Sequence, residues 1–184
     1  MGDPDGHVVP MGVDLELFRP MSRHGARAAL GIDPHEPVVL FGGDPANRVK
    51  GYHLFRRVLE RINGARELLL PGQPRRLVPL KFAAADLLLF TSHQGSEGSP
   101  GVVKEAAAMG RPVVSVDVGD VRQTLAGVSP SAVVEFGPDL VDTLSRHCAL
   151  ILSSGTRSNG CATATRFDWR TTARHIAGVY GRLV

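Results

Sequence analysis

The sequence is poor in cysteine, in aromatic residues and in long apolar runs, and each shortage excludes a class of protein. Two cysteines in 184 residues cannot build a disulfide framework or, by themselves, a metal site. Aromatic residues make up 5%, which argues against the stacking platforms that bind single-stranded nucleic acid. No apolar run approaches the roughly 20 residues of a membrane-spanning helix, and residues 1–15 lack the basic start and apolar core of a secretory signal. We therefore expect a cytoplasmic protein with two buried thiols and no nucleic acid partner.

What the sequence does contain is typical of a globular protein. Hydrophobic residues make up 43% and charged residues 21%, which excludes collagen-like, disordered and coiled-coil proteins. The formal net charge of +3 is mild. The length suits one domain, or one lobe of a larger enzyme.

Short apolar runs alternate with amphipathic stretches along the chain. The runs predict five strands, at 37–43, 66–72, 86–92, 112–117 and 131–137, and the amphipathic stretches predict helices at 50–62, 78–85, 100–110 and 121–126, followed by a mostly helical tail. Continuously apolar strands belong to a sheet that is covered on both faces. Strict alternation of strands and helices predicts an α/β fold with a Rossmann-like, doubly wound parallel sheet. Residues 1–20 are interpreted as an extended linker and residues 21–184 as one domain.

The ligand site of such a sheet lies at the carboxyl ends of its strands, so we expect it among residues 42–50, 71–78, 91–100 and 117–120. The stretch 92–105 is the most informative of these. A glycine-rich loop there leads into a helix that begins near Pro100, and such a loop feeding a helix N-terminus suits a phosphate. Glu97 and Glu105 cannot bind phosphate, but an ionised carboxylate accepts two O–H bonds, as a sugar diol requires. Each glutamate alone is ordinarily a solvated side chain; together with the glycines they indicate a sugar-nucleotide site.

These residues also carry a resemblance to a known family. The stretch from Glu97 through GSPGVVK to Glu105, followed by AAAMGRPVVSVDVGD, resembles the Glu-x7-Glu signature of the retaining group-1 glycosyltransferases of the glycogen-synthase-like superfamily. These enzymes have the GT-B fold, in which two Rossmann-like lobes flank the active site. Further segments resemble the family's interlobe hinge (7–20), its phosphate-side loop (47–55), the stretch before the signature (78–92) and the closing helix (167–180).

The resemblance implies a role for each matching residue. It assigns Glu97 to hydroxyls of the donor sugar, Glu105 to the ribose diol and Lys50 to the leaving diphosphate, so that Glu97 and Lys50 are the expected catalytic residues. The expected donor-binding backbone comprises Gly98, Ser99, Pro100, Gly101 and Val102. The donor would be a nucleoside-diphosphate sugar, and neither a metal nor another cofactor is expected. A lysine and a helix N-terminus can together stabilise a departing diphosphate.

The sequence departs from the family pattern in two places. Asp44 stands where the family usually has a phosphate-binding arginine; Arg48 is a candidate substitute, and a solvent-facing side chain is the alternative. Nothing corresponds to the amino-terminal acceptor lobe. We therefore expect a donor-binding lobe that binds donor without efficient transfer, and whose partner is an acceptor lobe in the same chain or a separate one.

Three alternatives define the limits of this interpretation. The chain could be a non-catalytic half-protein that binds a nucleotide sugar and pairs with a separate acceptor lobe. An unrelated Rossmann-like dehydrogenase or epimerase is disfavoured, because residues 40–51 lack the G-x-G-x-x-G spacing. A stripe of arginines at 166, 170 and 174, with further charge at Arg56, Arg57, Arg75 and Arg76, is ordinarily a solvated face; peripheral contact with the inner membrane face is the other interpretation.

Overall fold

A computed structural model describes residues 8–72 and 74–181. Its core is a five-stranded, fully parallel sheet with the strand order β2-β1-β3-β4-β5. The strands are β1 (Val38–Phe41), β2 (Arg66–Leu69), β3 (Leu87–Phe90), β4 (Val113–Val116) and β5 (Ala132–Val134). Each lies within its predicted range, and the predicted Rossmann-like fold is confirmed.

The helices that follow the strands are also where the amphipathic pattern predicts them. They are α2 (Tyr52–Leu59), α3 (Val78–Ala84), α4 (Gly101–Ala108), α5 (Val121–Thr124), α6 (Leu140–Ser154) and α8 (Trp169–Tyr180). Two helices have no counterpart in the prediction, α1 (Arg23–Leu30) and α7 (Gly160–Thr163), and three short 3-10 turns cover 48–50, 75–77 and 164–167.

The helices pack around the sheet in pairs: α2 contacts α6, α1 contacts α3, and α4 contacts α7. All residues of β1, β3 and β4 are buried, which explains why these strands are apolar. The exception is Ser115 of β4, whose hydroxyl donates to the Val116 carbonyl (2.7 Å). The edge strands β2 and β5 are only partly buried.

The described part of the expected linker, residues 8–20, packs on this core. Val13 and Phe18 are buried in it, and Phe18 contacts Phe82 of α3 edge to face. Val13 also pairs with the start of α8, donating its N–H to the Phe167 carbonyl (2.7 Å) and accepting from Trp169 N–H (3.1 Å). Residues 1–7 of the expected linker lie outside the described residues.

A buried cluster of charge closes the amino ends of the strands. Arg27, on α1, is 1% exposed and donates to the carboxylate of Asp86 (2.8 Å). Its guanidinium also donates to the backbone carbonyls of Asp33, Pro34, Glu36 and Ala84 at 2.7 to 3.0 Å. Asp86 in turn accepts the N–H of Val38 (2.7 Å), which is the first residue of β1. Arg111, which precedes β4, donates to the carbonyls of Ala83 and Ala85.

The two cysteines are both free, but they differ in environment. Cys148 is buried in α6, and burial raises the pKa of its thiol to about 12. Cys161 is exposed, so the expectation of two buried thiols is confirmed for the first and wrong for the second. Among residues 8–72 and 74–181, none of the helices combines the length and apolar character needed to cross a bilayer.

Candidate functional site

The strand order places a crevice at the carboxyl ends of β1 and β3. From β1 the chain moves outward to β2 and then returns across β1 to add β3, β4 and β5 on the other side. The loops after β1 and β3 therefore diverge, and such a switch point is where open α/β sheets bind ligands. These loops are residues 42–51 and 91–100, and they contain two of the four segments, 42–50 and 91–100, that the sequence marks as strand ends.

The loop after β1 holds Lys50 against the end of β3. Lys50 ends the 3-10 turn Arg48–Lys50, which Asn47 caps by accepting the N–H of Val49 (3.2 Å). Gly51 follows at a φ of +69°, and a Cβ added to it would lie 1.9 Å from the carbonyl oxygen of Thr91. The Thr91 hydroxyl also donates to the Gly51 carbonyl (3.0 Å). A glycine is therefore required for this turn to reach β3.

Lys50 and Glu97 form an ion pair across the crevice. The ammonium Nζ donates to Oε1 of Glu97 (2.7 Å), and the Ser92 hydroxyl donates to the same oxygen (2.7 Å). The Glu97 side chain is 12% exposed and that of Lys50 is 30% exposed. An ammonium has three N–H donors, so Lys50 retains capacity for a further acceptor while it holds Glu97.

A cavity of about 340 Å³ extends from Lys50 to Glu105. Its walls come from the loop after β1, the segment after β2 and one side of α4: Gly42, Gly43, Asp44, Lys50, Leu70, Pro71, Arg75, Val78, Val102 and Glu105. The Glu105 side chain is 8% exposed, and its Oε1 accepts from Nη2 of Arg75 at 2.6 Å. Burial raises the pKa of Glu105, and the Arg75 guanidinium opposes that rise.

Hydrogen bonds to Asp120 and Lys104 hold the loop that leads into α4. Asp120 donates its N–H to the Gly98 carbonyl (2.9 Å), and its Oδ2 accepts from the Ser99 hydroxyl (2.7 Å) and from Lys104 Nζ (2.8 Å). Lys104, 1% exposed, also donates to Ser99 and to the carbonyl of Met11 (3.2 Å). The side chain of Ser99 thus faces the linker rather than the cavity. Contacts within the protein, rather than contacts with a ligand, hold this loop in place.

The predicted site residues divide into those that meet at this crevice and one that does not. Lys50, Glu97, Val102 and Glu105 surround it, and Gly98, Ser99, Pro100 and Gly101 form the loop between them. Arg48 is exposed and lines a different cavity, beside Tyr52, His53, Arg56 and His93. Asp44 does line the Lys50 cavity, where its Oδ1 accepts the N–H of Ala46 (2.9 Å).

Sequence reasoning missed Arg75, which it treats as surface charge together with Arg76. Its only sequence signal is its place, just after β2, within a segment marked as a strand end. In the described part of the chain, no group of three or more His, Cys, Asp or Glu side chains is arranged to hold a metal ion.

Sequence comparison with known proteins identifies the family of this chain. Residues 38–153 match the family described as glycosyl transferases group 1, so the chain belongs to that family. It is 31% identical to the D-inositol 3-phosphate glycosyltransferase of Segniliparus rotundus, with 94% of this chain and 46% of that protein covered. It is 30% identical to the protein of the same name from Mycobacterium bovis, with 96% and 44% covered. The chain thus spans about half the length of the curated relatives it matches.

Solved structures give the fold. The sucrose-phosphate synthase of Thermosynechococcus elongatus superposes with a TM-score of 0.83 at 23% identity, over 96% of this chain and 52% of that one. The C-terminal domain of a group 1 glycosyltransferase from Francisella tularensis superposes with a TM-score of 0.58 at 17% identity, over 78% of this chain and 94% of that one. The chain therefore has the fold of one Rossmann-like lobe of a GT-B glycosyltransferase.

Proposed function

We propose that the chain is the donor-binding lobe of a retaining glycosyltransferase that uses a nucleoside-diphosphate sugar and needs no metal. The observation that carries the proposal is the crevice at the switch point of the sheet, where Lys50 and Glu105 line one cavity and Glu97 is paired with Lys50. A cation and a helix N-terminus beside two carboxylates provide complementary partners for a diphosphate and for hydroxyls. The half-length match to glycosyltransferases supports a lobe.

In this proposal each group acts on a different part of the donor. Glu105 accepts hydrogen bonds from the ribose hydroxyls, and Glu97 accepts hydrogen bonds from hydroxyls of the donor sugar. Lys50 and the backbone at the start of α4 face the diphosphate, whose negative charge grows as the sugar–phosphate bond breaks. The acceptor oxygen forms its bond to the same face of the sugar, and its proton passes to the departing phosphate oxygen. Positioning and electrostatics would then supply the rate, without a protein nucleophile.

The partner in this scheme is an acceptor lobe, in the same chain or in a separate one. The isolated 184-residue chain would bind donor and transfer sugar poorly, because only one wall of the active site would be present. Peripheral contact with the inner membrane face stays part of the proposal, with Arg170 and Arg174 on α8 as its support. Arg166 lies in the preceding 3-10 turn and donates to the carbonyls of Thr124 and Ala126 instead.

Thermal unfolding with excess UDP, GDP, ADP and their sugar conjugates, in EDTA, tests the proposal. One nucleotide at about 100 times its Kd should stabilise the chain by about 2.7 kcal/mol. Glu105→Gln should reduce this shift, whereas the exposed control Glu60→Gln should not. The donor-site proposal fails if no nucleotide stabilises the wild-type chain. Efficient sugar transfer by the isolated chain would contradict the claim that a second lobe is needed.

A further inference from the structure

The carboxylate of Glu105 is buried to a degree that an isolated charge does not tolerate. Its side chain is 8% exposed, and desolvation is the largest influence on its pKa, which it raises. A buried carboxylate without a partner takes up a proton rather than keeping its charge. Whatever lets Glu105 act as an ionised acceptor therefore has to be close to it.

Arg75 is that group, and it is held from two sides. Its Nη2 lies 2.6 Å from Oε1 of Glu105, and its guanidinium carbon lies 4.6 Å from the centre of the Phe18 ring. Phe18 is itself 1% exposed, so the ring is a fixed support. A planar guanidinium between an aromatic face and a carboxylate has a defined orientation.

The backbone that carries Arg75 is anchored as well. The ammonium of Lys81 donates to the carbonyls of Leu69, Leu70 and Pro71, and these residues form the end of β2 and the start of the connection to Arg75. The 3-10 turn Arg75–Leu77 then begins directly after Pro74. The approach of Arg75 to Glu105 is thus built into the chain between β2 and α3.

The other charged groups around Glu105 have different partners. Lys50 pairs with Glu97 (2.7 Å), and Lys104, on the same helix as Glu105, pairs with Asp120 (2.8 Å). Asp44 lines the cavity with a charge of the same sign as Glu105. Arg75 is consequently the cation that neutralises Glu105.

We propose that Arg75 is a positioning residue of the nucleotide pocket, which holds Oε1 of Glu105 and neutralises its charge so that Oε2 is left to accept ligand hydroxyls. The inference rests on the proposed function in one respect, that the hydroxyls are those of a ribose. Without Arg75 the buried carboxyl would take up a proton, and a protonated carboxyl has one donor and less acceptor capacity.

Three variants and two readouts test this inference. The variants are Arg75→Gln, the conservative Arg75→Lys and the matched control Arg76→Gln, whose exposed side chain lines a different cavity. The readouts are the Kd for the nucleoside diphosphate that stabilises the wild type, measured across pH, and the titration of the Glu105 carboxyl by carbon NMR without ligand. The Glu105 signal is assigned from its absence in Glu105→Gln.

Arg75→Gln should weaken nucleotide binding about tenfold at neutral pH. The affinity of this variant should recover as the pH rises, because the Glu105 carboxyl then ionises. Its Glu105 carboxyl should titrate at higher pH than in the wild type. Arg75→Lys should restore part of both properties, and Arg76→Gln should match the wild type. A simple structural role for Arg75 would change the melting temperature without moving either pH profile.

Two results would overturn the inference. Tighter binding by Arg75→Gln would show that the guanidinium blocks the ribose position instead of preparing it. An unmoved Glu105 titration would show that Arg75 does not control its charge. If the wild type binds no nucleotide, the proposed function fails, and with it the ribose assignment; the ligand-free titration still decides whether Arg75 governs Glu105.

Discussion

Both ends of the sheet carry arginine–carboxylate pairs, but the two ends use them differently. At the amino ends, Arg27 donates to Asp86 and to four backbone carbonyls, while Asp86 holds both Arg27 and the first N–H of β1. At the carboxyl ends, Glu105 receives one guanidinium on Oε1, and both hydrogen bonds to Glu97 fall on its Oε1.

The difference separates charges that hold the fold from charges that await a ligand. Arg27 uses each of its three nitrogens within the protein and is 1% exposed, whereas Lys50 and Arg75 are 30% and 61% exposed. Burying a fully bonded charge fixes the elements around it. A charge with a single partner in a cavity keeps hydrogen-bonding capacity for another molecule. The same residue types thus have opposite purposes at the two ends of one sheet.

The largest expected effect is a loss of stability when the buried cluster of Arg27 and Asp86, at the amino ends of the strands, is broken. Arg27→Ala leaves four backbone carbonyls without their donor and leaves Asp86 with Arg23 as its remaining arginine partner. The free energy of unfolding should therefore fall by about 3–5 kcal/mol. Urea denaturation measures it. Arg61→Ala is the matched control, because its ion pair with Asp142 is exposed on both sides and should contribute about 0–1 kcal/mol. Equal losses in the two variants would show that the buried Arg27 cluster stabilises the fold no more than an exposed ion pair does.

The second largest expected effect is on nucleotide binding, at the carboxyl ends of the strands. Lys50→Ala should weaken a nucleoside diphosphate by about 1.5–3 kcal/mol, the contribution of a charged hydrogen bond, which is roughly 10- to 150-fold in Kd. The matching nucleoside should lose much less, since it has no phosphate. Isothermal titration calorimetry measures both, and urea denaturation measures separately the stability lost when Glu97 keeps Ser92 but not Lys50. Arg48→Ala, which alters the other cavity, should stay within about twofold; a loss as large as that of Lys50→Ala would contradict the placement of Arg48.

The smallest effect is a pH dependence of stability that originates at Glu105. Burial raises its pKa above the unfolded value of 4.5, so the folded state binds more protons than the unfolded state between the two values. Its contribution to stability is therefore full below the unfolded pKa and is lost as the pH rises through the folded pKa. Glu105→Gln cannot ionise, and its unfolding free energy should lack this decline. Parallel curves for the variant and the wild type in urea denaturation from about pH 4 upward would show that Glu105 is not the source.

Much of the fold could be predicted because its strands are locally distinctive. Buried runs such as Val38–Phe41 and Leu87–Phe90 are apolar throughout and are bounded by proline, glycine or polar residues. The strand order could not be derived in the same way, since pairing depends on contacts between distant segments. Helix α1 was not anticipated, because its eight residues include two arginines and a glycine and its limits come from the Ser22 cap and the left-handed Gly31.

The site could be predicted where residue type and strand-end position agree. Lys50, Glu97 and Glu105 satisfy that condition, and the structure brings them to one crevice, although their roles remain proposals. Arg48 and Arg75 could not be distinguished by sequence, as both are exposed arginines in loops. The local backbone decides where each side chain lies. The capped 3-10 turn at 48–50 places Arg48 in another cavity, whereas the anchored connection after β2 places Arg75 beside Glu105.

Gly51 has a consequence for how this protein can vary. Because its missing side chain leaves room for the Thr91 carbonyl, the backbone directly after Lys50 is a fixed point. Asp44, on the same loop, is exposed where it lines the Lys50 cavity and can be exchanged. Natural drift or a designed library can therefore rewrite the rim of the crevice, and with it the preference for a ligand, without moving the backbone directly after the lysine.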